Sequence, residues 1–170
     1  MIYDRDYIEK YIVKVVHPIR PDLDVHLLGA FDALAAGSIT SSETLQALTD
    51  AASDRRASVY EISTEFIGEL AGNDEKALEA IRGMATSEHA HVRHNAILCL
   101  SADLDPAVSQ EIICERLKDK SHRVRRKAAD WALRLNFPEV APSLSAALKL
   151  ETNPETRQVM QDALEALRKK

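Results

Sequence analysis

The chain has 170 residues, 45 % of them hydrophobic and 5 % aromatic, and carries a net charge of −5 from 22 basic and 27 acidic side chains. That is enough chain for one domain with a continuous core, and the scarcity of aromatics and glycine beside abundant alanine and leucine excludes sandwich chemistry in favour of helices. No stretch reaches the roughly 18 apolar residues of a membrane span, and Asp4 and Asp6 stand where a secretory signal would carry a basic and then an apolar run, so a cytoplasmic protein without a membrane partner is expected.

The first predicted helix runs from about Asp4 to Val16 and stops before His17-Pro18; residues 1–20 read as an N-terminal cap. Four further helical patterns follow, roughly Asp22 to Ala36, Ser41 to Ala52, Arg55 to Ala71 and Asp74 to Ala85. They are punctuated by Gly37-Ser38, Ser53-Asp54 and Gly72-Asn73.

From residue 86 to 170 the chain repeats itself every 32 residues, aligning Val92-Arg93, Val124-Arg125 and Thr156-Arg157. Such a period marks stacked units that cannot bury their apolar faces alone. In one helix of each unit Val92, Ala96, Cys99 and Leu100 become Val124, Ala128, Trp131 and Ala132, and then Thr156, Met160, Ala163 and Leu164. This is one apolar helix face. A second helix opens at Pro106 or Pro138, where a missing N–H costs nothing, and carries Val108, Ile112 and Leu117 or Val140, Leu144 and Leu148. Valine also recurs upstream at positions 59 and 25, with Tyr60 and His26 where arginine would stand. The whole is predicted as a single all-α domain over 1–170, about ten helices in about five pairs.

The segments Glu88-His89-Ala90-His91-Val92-Arg93-His94-Asn95-Ala96 and Lys120-Ser121-His122-Arg123-Val124-Arg125-Arg126-Lys127-Ala128-Ala129 resemble the short HEAT-like repeats of phycobilin lyase subunits and many bacterial scaffold proteins. The resemblance implies a right-handed α–α superhelix. It also implies a ladder in which an acid six residues before the arginine pairs with it: Asp119 with Arg125, and Glu151 with Arg157. Ser87 before Arg93 breaks that pattern. The fold it names is used for binding and transfers no activity by itself.

No phosphate loop, nucleophile elbow, zinc-protease or dinucleotide motif is present, so a non-enzymatic chain without a cofactor is expected. Cys99 and Cys114 lie outside any Cys-x-x-Cys spacing and read as buried thiols. His89, His91 and His94, with His122 in the next unit, have the ligand types zinc prefers. Two of them align with Arg123 and Arg126, as a solvent-facing polar column would.

Residues 118–127 hold six basic side chains against one acid, in a chain whose first 85 residues hold 8 basic and 15 acidic. The leading functional expectation is a protein-interaction scaffold. Its partner would meet Glu111, Glu115, Lys118, Lys120, Arg123, Arg126 and Lys127, with a groove on the proline-opened helices that also exposes Gln110, Ser143, Ala147 and Lys149. The alternative is nucleic-acid binding through the basic turn, as in HEAT-like proteins resembling alkylpurine DNA glycosylases, for which Asp130-Trp131 is the one suggestive pair. A chromophore-lyase accessory role is a third reading, resting on the repeat alone.

Overall fold

A side chain or a proline satisfies the first turn of six of the ten α-helices. The computed structural model describes residues 4–169, and among them ten α-helices and no strand. Asp4 caps α1 (Arg5–Tyr11), Ser41 caps α3 (Ser42–Ala52), Asp74 caps α5 (Glu75–Thr86), Asp105 caps α7 (Pro106–Arg116) and Asn153 caps α10 (Pro154–Arg168), each accepting a backbone N–H of the first turn. Between them lie α2 (Asp24–Ala36), α4 (Ala57–Leu70), α6 (Ala90–Leu98), α8 (His122–Arg134) and α9 (Ala141–Leu150). Of these, α2, α4, α6 and α8 start without either. Left-handed residues close two helices, Gly37 (φ 61°) after α2 and Asn136 (φ 57°) after α8. Ahead of His17-Pro18, α1 continues over Ile12–Val16 with wider i→i+5 winding, His17 N donating to Ile12 O at 2.8 Å. Pro106 opens α7 as expected, whereas Pro138 starts a single 3₁₀ turn, Pro138–Val140, that leads into α9.

Buried apolar side chains form one continuous cluster from Ile8 to Leu167. Val59, Val92 and Val124 lie in it as their period requires, but Val25 is 69 % exposed. It falls in the first turn of α2, whose buried face is Leu27, Ala30 and Phe31 instead, so the repeat loses its register at that copy. No helix among the described residues is long and apolar enough to cross a membrane.

The intimate hairpins are α3 with α4, α5 with α6, α7 with α8, and α9 with α10. The packing unit is therefore a capped or proline-opened helix followed by the Val-Arg helix, the reverse of the order in which the sequence is most easily cut. The Val-Arg helices also pack on one another, α4 on α6, α6 on α8 and α8 on α10, while the other row touches sparingly. Alanines at 96, 128, 129 and 132, all fully buried, permit that closeness. Gly68 of α4 is closer still: a Cβ there would overlap the carbonyl oxygen of Cys99 at the end of α6.

The arginine ladder runs between hairpins and not within them. Arg93 donates from Nε and Nη2 to Asp119 at 2.6 and 2.8 Å, and Arg125 donates likewise to Glu151 at 2.6 and 2.8 Å. The expected pairs Asp119 with Arg125 and Glu151 with Arg157 are corrected accordingly. What lies six residues before each arginine is a carbonyl, accepting from Nη1: Ser87 O for Arg93 (2.8 Å), Asp119 O for Arg125 (2.7 Å) and Glu151 O for Arg157 (3.2 Å). Ser87 is thus no defect, because any residue supplies a carbonyl. The carboxylates meanwhile tie their own turns, Asp119 accepting from Ser121 N (2.8 Å) and Glu151 from Asn153 N (2.8 Å).

Candidate binding groove

Because α4, α6, α8 and α10 are alternate members of a row of antiparallel neighbours, they run parallel and present their N-terminal turns on one side. There a groove of about 1150 Å³ crosses the four helices. One end is walled by Asp54, Arg55 and Tyr60, and next come Glu88 and His89 just before α6 with His91 and His94 of α6. Arg123, Arg126, Lys127 and Asp130 of α8 form the next wall with His122, and Glu155 and Val159 of α10 close the far end.

Several of these side chains are held from beneath. The His91 Nε2–H donates to Ser53 O at 3.1 Å, and the buried Asn95 donates from Nδ2 to Ala52 O at 2.8 Å, so α6 is fastened to the turn before α4. Asn95 carried no signal in the repeat, since its column holds Lys127 in the next copy. His89 and His91 lie with ring centroids 5.7 Å apart. Among the described residues no group of three or more His, Cys, Asp or Glu side chains is placed to hold a metal ion.

The groove's cations fall into two sets. Arg126 pairs with Glu155 at 3.0 Å and Lys127 with Asp130 at 3.7 Å, while Arg56, just outside, takes up Asp54 at 2.6 Å. Arg55 and Arg123 are exposed and enter no ion pair. Burial, together with the nearby charges of Lys127, Arg126 and Arg123, holds the His94 imidazole below its ordinary pKa, against a hydrogen bond to Asn95 that raises it. The imidazole therefore senses a positive wall.

Of the residues expected to meet a partner, Arg123, Arg126 and Lys127 are brought together here beside the histidines. Lys118 and Lys120 are exposed in the connection before α8 but do not line the groove. Glu111 and Glu115 sit on the outer α7, the first bound to Arg82 of α5 at 3.0 Å and the second beside Arg116 at 3.3 Å. The groove thus crosses the Val-Arg helices and not the proline-opened row carrying Gln110, Ser143, Ala147 and Lys149. The reason is the packing: only the Val-Arg row is close enough to make a continuous wall.

Asp130-Trp131 is not an open aromatic site. Trp131 is 8 % exposed, donates its Nε1–H to Leu100 O at 3.0 Å, and lies under Lys127 and Arg134 at 4.7 and 4.9 Å from the ring centroid. Cys99 is buried, which pushes its thiol far above the ordinary range, and Cys114 is half-buried.

No match is found among curated proteins. Among solved structures the chain is similar to a designed armadillo repeat protein in complex with the peptide (KR)4, at 16 % identity and a TM-score of 0.46, over 95 % of this chain and 82 % of that one. The family model for HEAT repeats matches residues 45–134, more than half of the chain and the span from α3 to the end of α8. With its stacked hairpins and inter-unit arginine ladder, this chain belongs to the HEAT-repeat family.

Proposed function

We propose that the protein is a non-catalytic interaction module that holds a protein partner in the groove over α4, α6, α8 and α10. The observation that carries this reading is the groove itself: a long polar trough whose walls are rigid helices and whose exposed Arg55 and Arg123 enter no ion pair of the fold. A repeat stack is suited to this, because its binding surface is a sum of similar helix faces and varies without disturbing the core. The carboxylates held most firmly, Asp119 and Glu151, serve the ladder, and Cys99 is buried, which supports a binding and not a chemical role.

The basic wall of α8 favours one second reading, nucleic-acid binding through Arg123, Arg126 and Lys127 with Lys120 nearby. Against it, Asp54, Glu88, Asp130 and Glu155 interrupt the path a phosphate backbone would follow, and Trp131 is committed to the core.

The test is a nuclease-treated affinity capture run in parallel with wild type, R123E/R126E and E111K/E115K. The expected result is a stoichiometric protein retained by wild type and E111K/E115K and lost from R123E/R126E. Loss from E111K/E115K alone would move the site to the outer row. Recovery only of nuclease-sensitive material, released by salt, would establish the second reading.

A further inference from the structure

We infer that the groove receives an extended, acidic segment of polypeptide, rich in Asp and Glu, laid across α4, α6 and α8. This rests on the groove being a protein-binding site and specifies its ligand. Three of its four carboxylates already have cations of their own: Asp54 has Arg56, Asp130 has Lys127, and Glu155 has Arg126. What is left facing solvent is Arg55 at one end and Arg123 in the middle, against Glu88 alone. The N-termini of α4, α6 and α8 add to this. Their caps are Arg56, His89 and Ser121, none of which hydrogen-bonds the first turn through its side chain, unlike the capped α3, α5, α7 and α10. First-turn amides at such ends favour an anion, although Asp54 at α4 and Asp119 at α8 already accept the cap residue's own N–H. The His94 imidazole, held below its ordinary pKa first by burial and then by the charges of Lys127, Arg126 and Arg123, lies in that field.

Size and spacing select a peptide. Helices in a packed row lie about 8–10 Å apart, so the groove, which runs on past α8 to Glu155 and Val159 of α10, spans about 24–30 Å, the reach of about eight residues of extended chain. Positive groups that recur once per helix suit carboxylates on a flexible chain, which swing past Glu88, better than a continuous polyphosphate with a charge at every residue. Tyr60 is the one Phe, Tyr or Trp side chain lining the groove, and of its four histidines His91 is tied to Ser53 O and His94 is half-buried, which leaves few free rings for a run of stacked bases.

The experiment measures fluorescence anisotropy of the full chain with labelled peptides of about eight residues, one of alternating Glu and Ser, one of alternating Lys and Ser, and with single-stranded and duplex oligonucleotides at low ionic strength. The Glu peptide is expected to bind and the Lys peptide not to. R55E/R123E, which touches no ion pair of the fold, should weaken Glu-peptide binding about tenfold or more while far-UV circular dichroism is unchanged. K118E/K120E, of similar charge change outside the groove, should have a much smaller effect. The inference is overturned if the Glu peptide does not bind, if K118E/K120E weakens it as much as R55E/R123E, or if the oligonucleotides bind more tightly with the same dependence on Arg55 and Arg123. A groove-dependent protein in the capture experiment with no affinity for the Glu peptide would overturn this inference alone. Failure of both would remove the interaction reading as well.

Discussion

Arg93 and Asp119 show what single residues do here. Their side chains are 5 and 3 % exposed and joined by two hydrogen bonds, so removing Arg93 leaves the buried Asp119 carboxylate only Arg116 at 3.7 Å and the Ser121 amide. Arg93→Ala is expected to cost about 3–5 kcal/mol. Arg157→Ala, at the last rung where the side chain meets only carbonyls, should cost about 0.5 kcal/mol, both read from urea midpoints. Hydrogen bonds from Arg125, opposed by burial and aided by the Asn153 and Thr152 amides, lower the Glu151 pKa from its ordinary 4.5 to about 2. A carboxyl depressed by folding adds stability that is complete above its unfolded pKa and lost as pH falls through the folded one. Wild type should therefore lose stability between about pH 4.5 and 2, and Glu151→Gln should flatten that window in acid titrations of the urea midpoint. Asp119 acts in the same sense: burial works to raise its carboxyl, and Arg93 and the Ser121 amide outweigh it. The arginines of this ladder were legible from their 32-residue period. Their partners were not, because a spacing of six residues names a carbonyl and a carboxylate at once, and only the stacking of one hairpin on the next decides which charge is met.

At the level of elements, caps, prolines and glycines marked most helix limits locally, but α9 starts at Ala141, after the 3₁₀ turn that Pro138 opens. The hairpin frame was not. Apolar periodicity says which face of a helix is buried and is silent on which neighbour buries it, so cutting the repeat at Val-Arg joined each helix to the wrong companion. The contact of α4 with α6 depends at Gly68 on a residue with no side chain at all. Gly68→Ala places a methyl group on the Cys99 carbonyl, and the helices must separate. A loss of about 1–3 kcal/mol is expected. Gly83→Ala, in α5 with nothing within 4 Å of the added carbon, should instead gain about 0.5–1 kcal/mol through the unfolded state. Thermal midpoints moving in opposite directions would bear out this reading; equal losses would show that the α4–α6 contact has slack.

For the whole molecule, the site was only half legible. The charge run placed Arg123, Arg126 and Lys127 in a basic surface, while Arg125 of the same run turns inward to Glu151. Arg55, Tyr60 and Glu155 line the same groove from more than 25 residues away in either direction; the period puts Glu155 in the column of His91 and Arg123, and Tyr60 in that of Arg93, but is silent on whether those columns face one groove. The stack itself is uneven. Its C-terminal hairpins are bridged by Arg93–Asp119 and Arg125–Glu151, and Trp131 reaches back to Leu100. The N-terminal end has no arginine at the equivalent of the Val-Arg position, exposes Val13 and Val25, and interrupts α1 with a wider turn. In a nearest-neighbour array the weaker interfaces open first. Amide hydrogen exchange should therefore be fastest in α1 and α2, slower in α4, and slowest in α6 and α8, with Asp119→Asn raising exchange in both α6 and α8 and leaving α1 unaltered. Uniform protection from α1 to α10 would mean that the array unfolds as one unit and that the ladder strengthens the whole chain and not its own interface.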